Sequence, residues 1–97
     1  MALATVATTV TAGDIPVVQN DKKFSTRSID IRVGDRVTFV NADRVNHNLY
    51  SETTGFEFDL GNQKPGQSAS MSFDSAGDVE VKCAIHPKMK LAVHVKR

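Results

Sequence analysis

The chain has no tryptophan, one cysteine and three prolines among its 97 residues. A single cysteine cannot close an internal disulfide, so nothing staples the fold covalently. Cys83 must therefore be core filler, a nucleophile or a metal ligand. No apolar run approaches the roughly 18 residues that a membrane-spanning helix needs. Charge of one sign is also missing: 12 Lys and Arg stand against 11 Asp and Glu, a formal +1. That balance excludes the strong overall field expected of a protein built for nucleic acid or anionic membrane. Repeats, charge blocks, low-complexity linkers and amphipathic helical spacing are absent as well. The start, Met1-Ala2-Leu3-Ala4-Thr5-Val6, has neither a basic region nor an apolar stretch, and so does not read as a signal peptide. The chain is then either cytoplasmic or preceded in its precursor by a leader that is removed.

What is present is period-2 alternation, broken by turn residues at short intervals. Val6, Thr8 and Val10 alternate before Ala12-Gly13-Asp14. Ile29, Ile31 and Val33 share a face opposite Ser28, Asp30 and Arg32, and Gly34-Asp35 turns the chain into Val37 and Phe39. Val45, His47 and Leu49 form another inward set, then Phe56, Phe58 and Leu60, with a polar turn from Gly61 to Gly66. Ala69, Met71 and Phe73 follow, then Val79, Val81 and Cys83, and finally Leu91, Val93 and Val95. About eight short strands with these turns imply an all-β, antiparallel two-sheet sandwich. At this length one domain, 1–97, is expected.

The chemistry concentrates in Cys83-Ala84-Ile85-His86-Pro87-Lys88-Met89, where thiolate, imidazole and thioether recur every three residues. His47 offers a second imidazole from a separate strand. Two His, one Cys and a weakly held Met form the ligand set of a trigonal electron-transfer copper site, in which soft sulfur ligands suit copper. Alternation aims Cys83 and His47 inward, and Pro87 stiffens the loop by fixing its φ. Each residue also has an ordinary reading: a buried Cys is usually a small hydrophobe, a lone inward His a hydrogen-bonded core residue, and a Met packing filler. Their combination favours metal. Zinc would accept the Cys and both His, but gains little from a thioether and in structural sites prefers four closed ligands. Cys–His nucleophilic catalysis lacks a third orienting group and a groove. Met71 reads as core, and His94, facing away from Val93 and Val95, as solvated. Lys88, Lys90, Lys96 and Arg97 form a mildly basic patch or an ordinary solvated face.

From about Asp14 to Arg97 the chain resembles the cupredoxins, small type 1 blue copper proteins. The resemblance rests on Val33-Gly34-Asp35-Arg36-Val37-Thr38-Phe39-Val40-Asn41, on Val45-Asn46-His47-Asn48-Leu49, on Lys64-Pro65-Gly66-Gln67-Ser68, and on Cys83-x-x-His86-x-x-Met89. The short loop with Pro87 is most similar to amicyanin and to cupredoxins of methylamine utilisation, as is Phe58-Asp59-Leu60-Gly61. The resemblance implies a Greek-key sandwich and one copper ion held by His47, Cys83 and His86, with Met89 as weak axial ligand. It implies a one-electron carrier cycling Cu(I) and Cu(II) outside the cytoplasmic membrane, in the periplasm, with the leader removed. It also implies that the Asn48 N–H donates to the Cys83 sulfur while the Asn48 side chain ties the His47 segment to the Cys83 loop.

Three further expectations follow. Ile85, two residues after Cys83, keeps a backbone N–H that could give the thiolate a second hydrogen bond. His86, flanked by Ile85 and Pro87, is the expected electron port, where a monomer would dock redox partner proteins transiently. The rival functions are a periplasmic copper carrier or chaperone using the same ligands, and a metal-free interaction module.

Overall fold

The computed structural model describes residues 13–97, so the strand expected at Val6–Val10 lies outside the described residues. Nine strands follow: β1 (Asp14–Asn20), β2 (Lys23–Phe24), β3 (Ser28–Arg32), β4 (Arg36–Asn41), β5 (His47–Ser51), β6 (Phe58–Gln63), β7 (Ser68–Ser72), β8 (Gly77–Cys83) and β9 (Lys90–Lys96). They form two sheets, ordered β2-β1-β4-β7 and β3-β9-β8-β5-β6. The all-β sandwich is as expected, and the described residues contain no helix. The sheets are mixed rather than wholly antiparallel, because β1 runs parallel to β4 and β3 parallel to β9. These pairs join strands separated in sequence, which no hairpin constrains to be antiparallel.

β1 and β2 were not anticipated. Pro16 cannot donate to a ladder and Gln19 is polar, so the segment does not alternate clearly. Pro16 is tolerated because β1 meets β2 only at Gln19 and Asn20, leaving an edge at the proline. β6 also runs further than expected, through Gly61 to Gln63. Between the pairs Asn48↔Asn62 and Tyr50↔Asp59 it carries one residue more than β5. Gly61, at φ +74°, absorbs this bulge.

Elsewhere alternation sets the faces as expected, except at Val33, which lies past the end of β3 and is 41% exposed rather than facing inward with Ile29 and Ile31. Val37 and Phe39 of β4 and Val17 of β1 meet Ile31, Leu49, Val79, Val81, Leu91 and Val93 of the second sheet in one buried core. Burying each such side chain contributes about 1.5–3 kcal/mol. The fold thereby brings the β1–β2 turn, the 42–46 turn, the start of β5 and the β8–β9 loop to one end of the sandwich.

Candidate metal centre

β5 begins at His47 and β8 ends at Cys83, and these strands are neighbours, with Leu49 opposite Cys83. His47 is 0% exposed and Cys83 1%; His86, on the loop after β8, is half-buried. Their donor atoms converge. Cys83 Sγ lies 3.6 Å from His47 Nδ1 and 3.8 Å from His86 Nδ1, and the two Nδ1 atoms are 3.2 Å apart. The circle through these three atoms has a radius of about 2.1 Å, within the range of about 2.0–2.3 Å for metal bonds to imidazole and thiolate. The residues present therefore fit a trigonal metal ion. Met89 is 2% exposed, and its N–H donates to the His86 carbonyl at 3.0 Å, folding the thioether-bearing residue back under the loop.

The surroundings orient these donors. His47 Nε2 lies 3.0 Å from Asp43 Oδ2, whose side chain is only 8% exposed. A proton on Nε2 donated to that carboxylate leaves Nδ1 free to ligate. The Lys22 N–H, 2.8 Å from the same oxygen, is the chief influence holding Asp43 below the usual carboxylate range; the Arg44 N–H and His47 assist, against the opposing effect of burial. Burial, then the His47 ring and the Lys22 cation, lower the His86 pKa, while Asp43 opposes them. His86 is thus biased towards the neutral form that binds metal.

Asn41, fully buried at the end of β4, clamps the approach to His47. Its Nδ2 donates to the carbonyls of Val45 and Gln63, each at 3.0 Å, and its Oδ1 accepts from the Asp43 N–H at 2.9 Å. Neither Asn41 nor Asp43 was singled out as part of the site. The only sequence signal was Asp43 standing four residues before His47, and its meaning depends on how the turn folds.

The expected N–H···S bond is present, from Asn48 N–H to Cys83 Sγ at 3.5 Å. The tie between the His47 segment and the Cys83 loop is made differently. The Asn48 carbonyl accepts from the Ala84 N–H at 2.8 Å, while the Asn48 side chain donates to Asp59 Oδ1 at 2.7 Å. Antiparallel pairing aims the backbone across at β8, and the side chain is left to satisfy the β6 bulge. Among the described residues no bond runs from Ile85 N–H to the sulfur, so Asn48 is the one backbone donor to it; Ile85 is instead 49% exposed. His94 pairs with Asp78 at 2.7 Å away from the site. Lys96 sits at the other end of β9, beside Asp30. Lys22 and Lys23, not Lys96 and Arg97, join Lys88 beside His86.

A family model for copper-binding proteins of the plastocyanin/azurin family matches residues 11–96. The chain belongs to that family. Methylamine utilization protein MauL of Methylorubrum extorquens is 30% identical over 95 residues, covering 97% of this chain and 83% of that protein. Amicyanin-alpha of the same organism is 31% identical over 88 residues, covering 88% of this chain and 74% of its own. A solved amicyanin variant in its reduced Cu(I) form superposes with a TM-score of 0.81 at 28% identity, over 91% of this chain and 87% of that one. Copper, rather than zinc, is thereby the metal that this donor set serves.

Proposed function

We propose that this chain is a type 1 copper protein that carries single electrons between redox partner proteins and is not itself an enzyme. His47, Cys83 and His86 would hold the ion, with the Met89 thioether as a weaker fourth ligand. The observation that carries the reading is the triangle of two Nδ1 atoms and Sγ, closed by a half-buried histidine. Copper supplies a one-electron couple between Cu(I) and Cu(II). The chain's own residues do the rest. Cys83 binds as thiolate, and the Asn48 N–H withdraws charge from its sulfur. Asp43 keeps the His47 ring in one orientation, and strands on both sides of the site limit rearrangement between oxidation states. His86 is the point through which electrons enter and leave, at a transient contact with a partner.

Two donors less than 2% exposed and anchored on strands favour a shuttle over a copper carrier, which needs its metal accessible for exchange. The same reading makes the chain one domain, residues 1–97, acting as a monomer in the periplasm, as kinship with the cupredoxins implies. Adding Cu(II) to the purified protein tests it. The expected result is an intense visible band from sulfur-to-copper charge transfer and reversible voltammetry, both lost in Cys83→Ala. Persistence of the band in that variant defeats the ligand assignment. A colourless complex that hands its copper to a chelator supports the carrier instead.

A further inference from the structure

The end of the sandwich that holds the metal centre also gathers cations. A hollow of about 420 Å³ is lined by Lys22, Lys23, Ile85, His86, Pro87 and Lys88. A second, of about 230 Å³, shares three of these lysines and adds Arg27, Met89 and Lys90. Lys22, Lys23, Arg27, Lys88 and Lys90 are all exposed, and no Asp or Glu lines either hollow. Among the described residues none of these five has an ion-pair partner, whereas Arg36 and Lys96 each have one and Lys82 has two. Asp21, in the same turn as Lys22, is the exposed acidic neighbour; Asp43 is already committed to Lys22 N–H and His47.

The turn presenting Lys22 is strained and held. Asp21 and Lys22 have φ of +50° and +57°, as a two-residue hairpin turn between β1 and β2 requires. Glycine or asparagine is the usual occupant, and a lysine there is disfavoured. Yet Asp43 Oδ2 grips the Lys22 N–H at 2.8 Å while contacting His47 Nε2 at 3.0 Å. A lysine thus stands where glycine would be less strained, and its backbone is tied to the metal centre through Asp43.

We propose that this cationic rim around Ile85 and Pro87 is the docking face for an acidic redox protein, one whose carboxylates surround its own point of electron entry. The proposal rests on the electron-carrier reading and specifies the partner's chemistry. Complementary charge steers encounter and sets orientation, while a small apolar centre, with Ile85 49% exposed, permits quick release. Away from the rim the balance reverses: with Asp21 and Asp43 set aside as rim neighbours, the other 7 Lys and Arg face 9 of the 11 Asp and Glu. An extended polyanion would be repelled there, so the observations favour a partner with a compact acidic footprint.

The test compares copper-loaded protein with Lys22→Gly/Lys88→Gln, a pair that removes two charges and relieves the turn. Oxidation of the Cu(I) protein by hexacyanoferrate(III), which becomes hexacyanoferrate(II), is expected to slow about tenfold between low and physiological salt. Oxidation by cationic tris(phenanthroline)cobalt(III), which becomes the cobalt(II) complex, is expected to quicken. Both salt dependences shrink in the double variant, whose melting temperature does not fall. In NMR titrations of the Cu(I) protein, tetra-L-glutamate, a compact acidic peptide, is expected to shift signals from 21–24 and 84–90. Exchange with both oxidants that is insensitive to salt and to the substitutions overturns the proposal and leaves the carrier reading standing. Failure to exchange with either oxidant overturns both. Binding to vesicles containing anionic phosphatidylglycerol without any response to tetra-L-glutamate overturns the acidic-protein assignment in favour of a membrane.

Discussion

Replacing Asn41 by alanine tests whether the metal centre is held from behind, through the turn that leads into His47. The substitution removes two donated bonds, to Val45 O and Gln63 O, and one accepted from the Asp43 N–H. Each such bond contributes about 1 kcal/mol net, and a buried partner left unsatisfied adds about 1–3 kcal/mol. Val45 O and the Asp43 N–H are only part-buried and can recruit water, whereas the bond to Gln63 O is buried. Three lost bonds and one stranded buried carbonyl therefore make the expected loss about 4–6 kcal/mol, large against a typical total of about 5–15 kcal/mol. Urea unfolding of the copper-free protein measures it, with the m-value expected to hold steady. Because Val45 and Asp43 both lie in the turn before His47, copper should also dissociate faster from the variant. A stability loss below about 1 kcal/mol, or an unchanged copper off-rate, would refute the clamp.

Gly77→Ala should destabilise by about 1–3 kcal/mol, because its Cβ would meet Phe56 Cε2 and Cζ at 2.9 Å. Adding Phe56→Leu should recover part of that loss in thermal melts, and additive effects would mean that the contact is not the cause. Asp35 accepts the Arg32 N–H at 2.8 Å and the Gly13 N–H at 2.9 Å, and these bonds lower its pKa from 3.8. A lowered carboxyl pKa contributes stability that is full above the unfolded value and is lost as pH falls through the folded one. Asp35→Asn should therefore flatten the stability profile below about pH 4, and an unaltered acid limb would contradict this. Met89→Leu conserves core volume, so stability should change by less than about 1.5 kcal/mol while the copper reduction potential shifts. A potential identical to wild type would remove Met89 from the ligand set.

Much of the fold and site is local in origin and was therefore legible. A residue's side of a strand depends on its own neighbours, so Val79, Val81 and Cys83 could be placed inward, and all three are buried. The spacing of Cys83, His86 and Met89 is likewise a property of one loop, and His47 declared itself by interrupting an apolar face. β1 was illegible because its buried Gln19 donates Nε2–H to Gln63 Oε1, 44 residues away, which no local pattern records. Asp43 and Lys22 looked like ordinary turn charges for the same reason.

The sequence by itself determined the strand faces, the donor chemistry and the presence of an inward imidazole to complete it. Only the tertiary structure decided that β1 runs parallel to β4 and β3 to β9, that Asp43 joins His47 to the Lys22 turn, and that unpaired lysines surround His86. Alternation is written in consecutive residues, but strand order and the meeting of turns come from packing two sheets over one core. Contacts of that kind join residues whose separation along the chain carries no signal of their proximity.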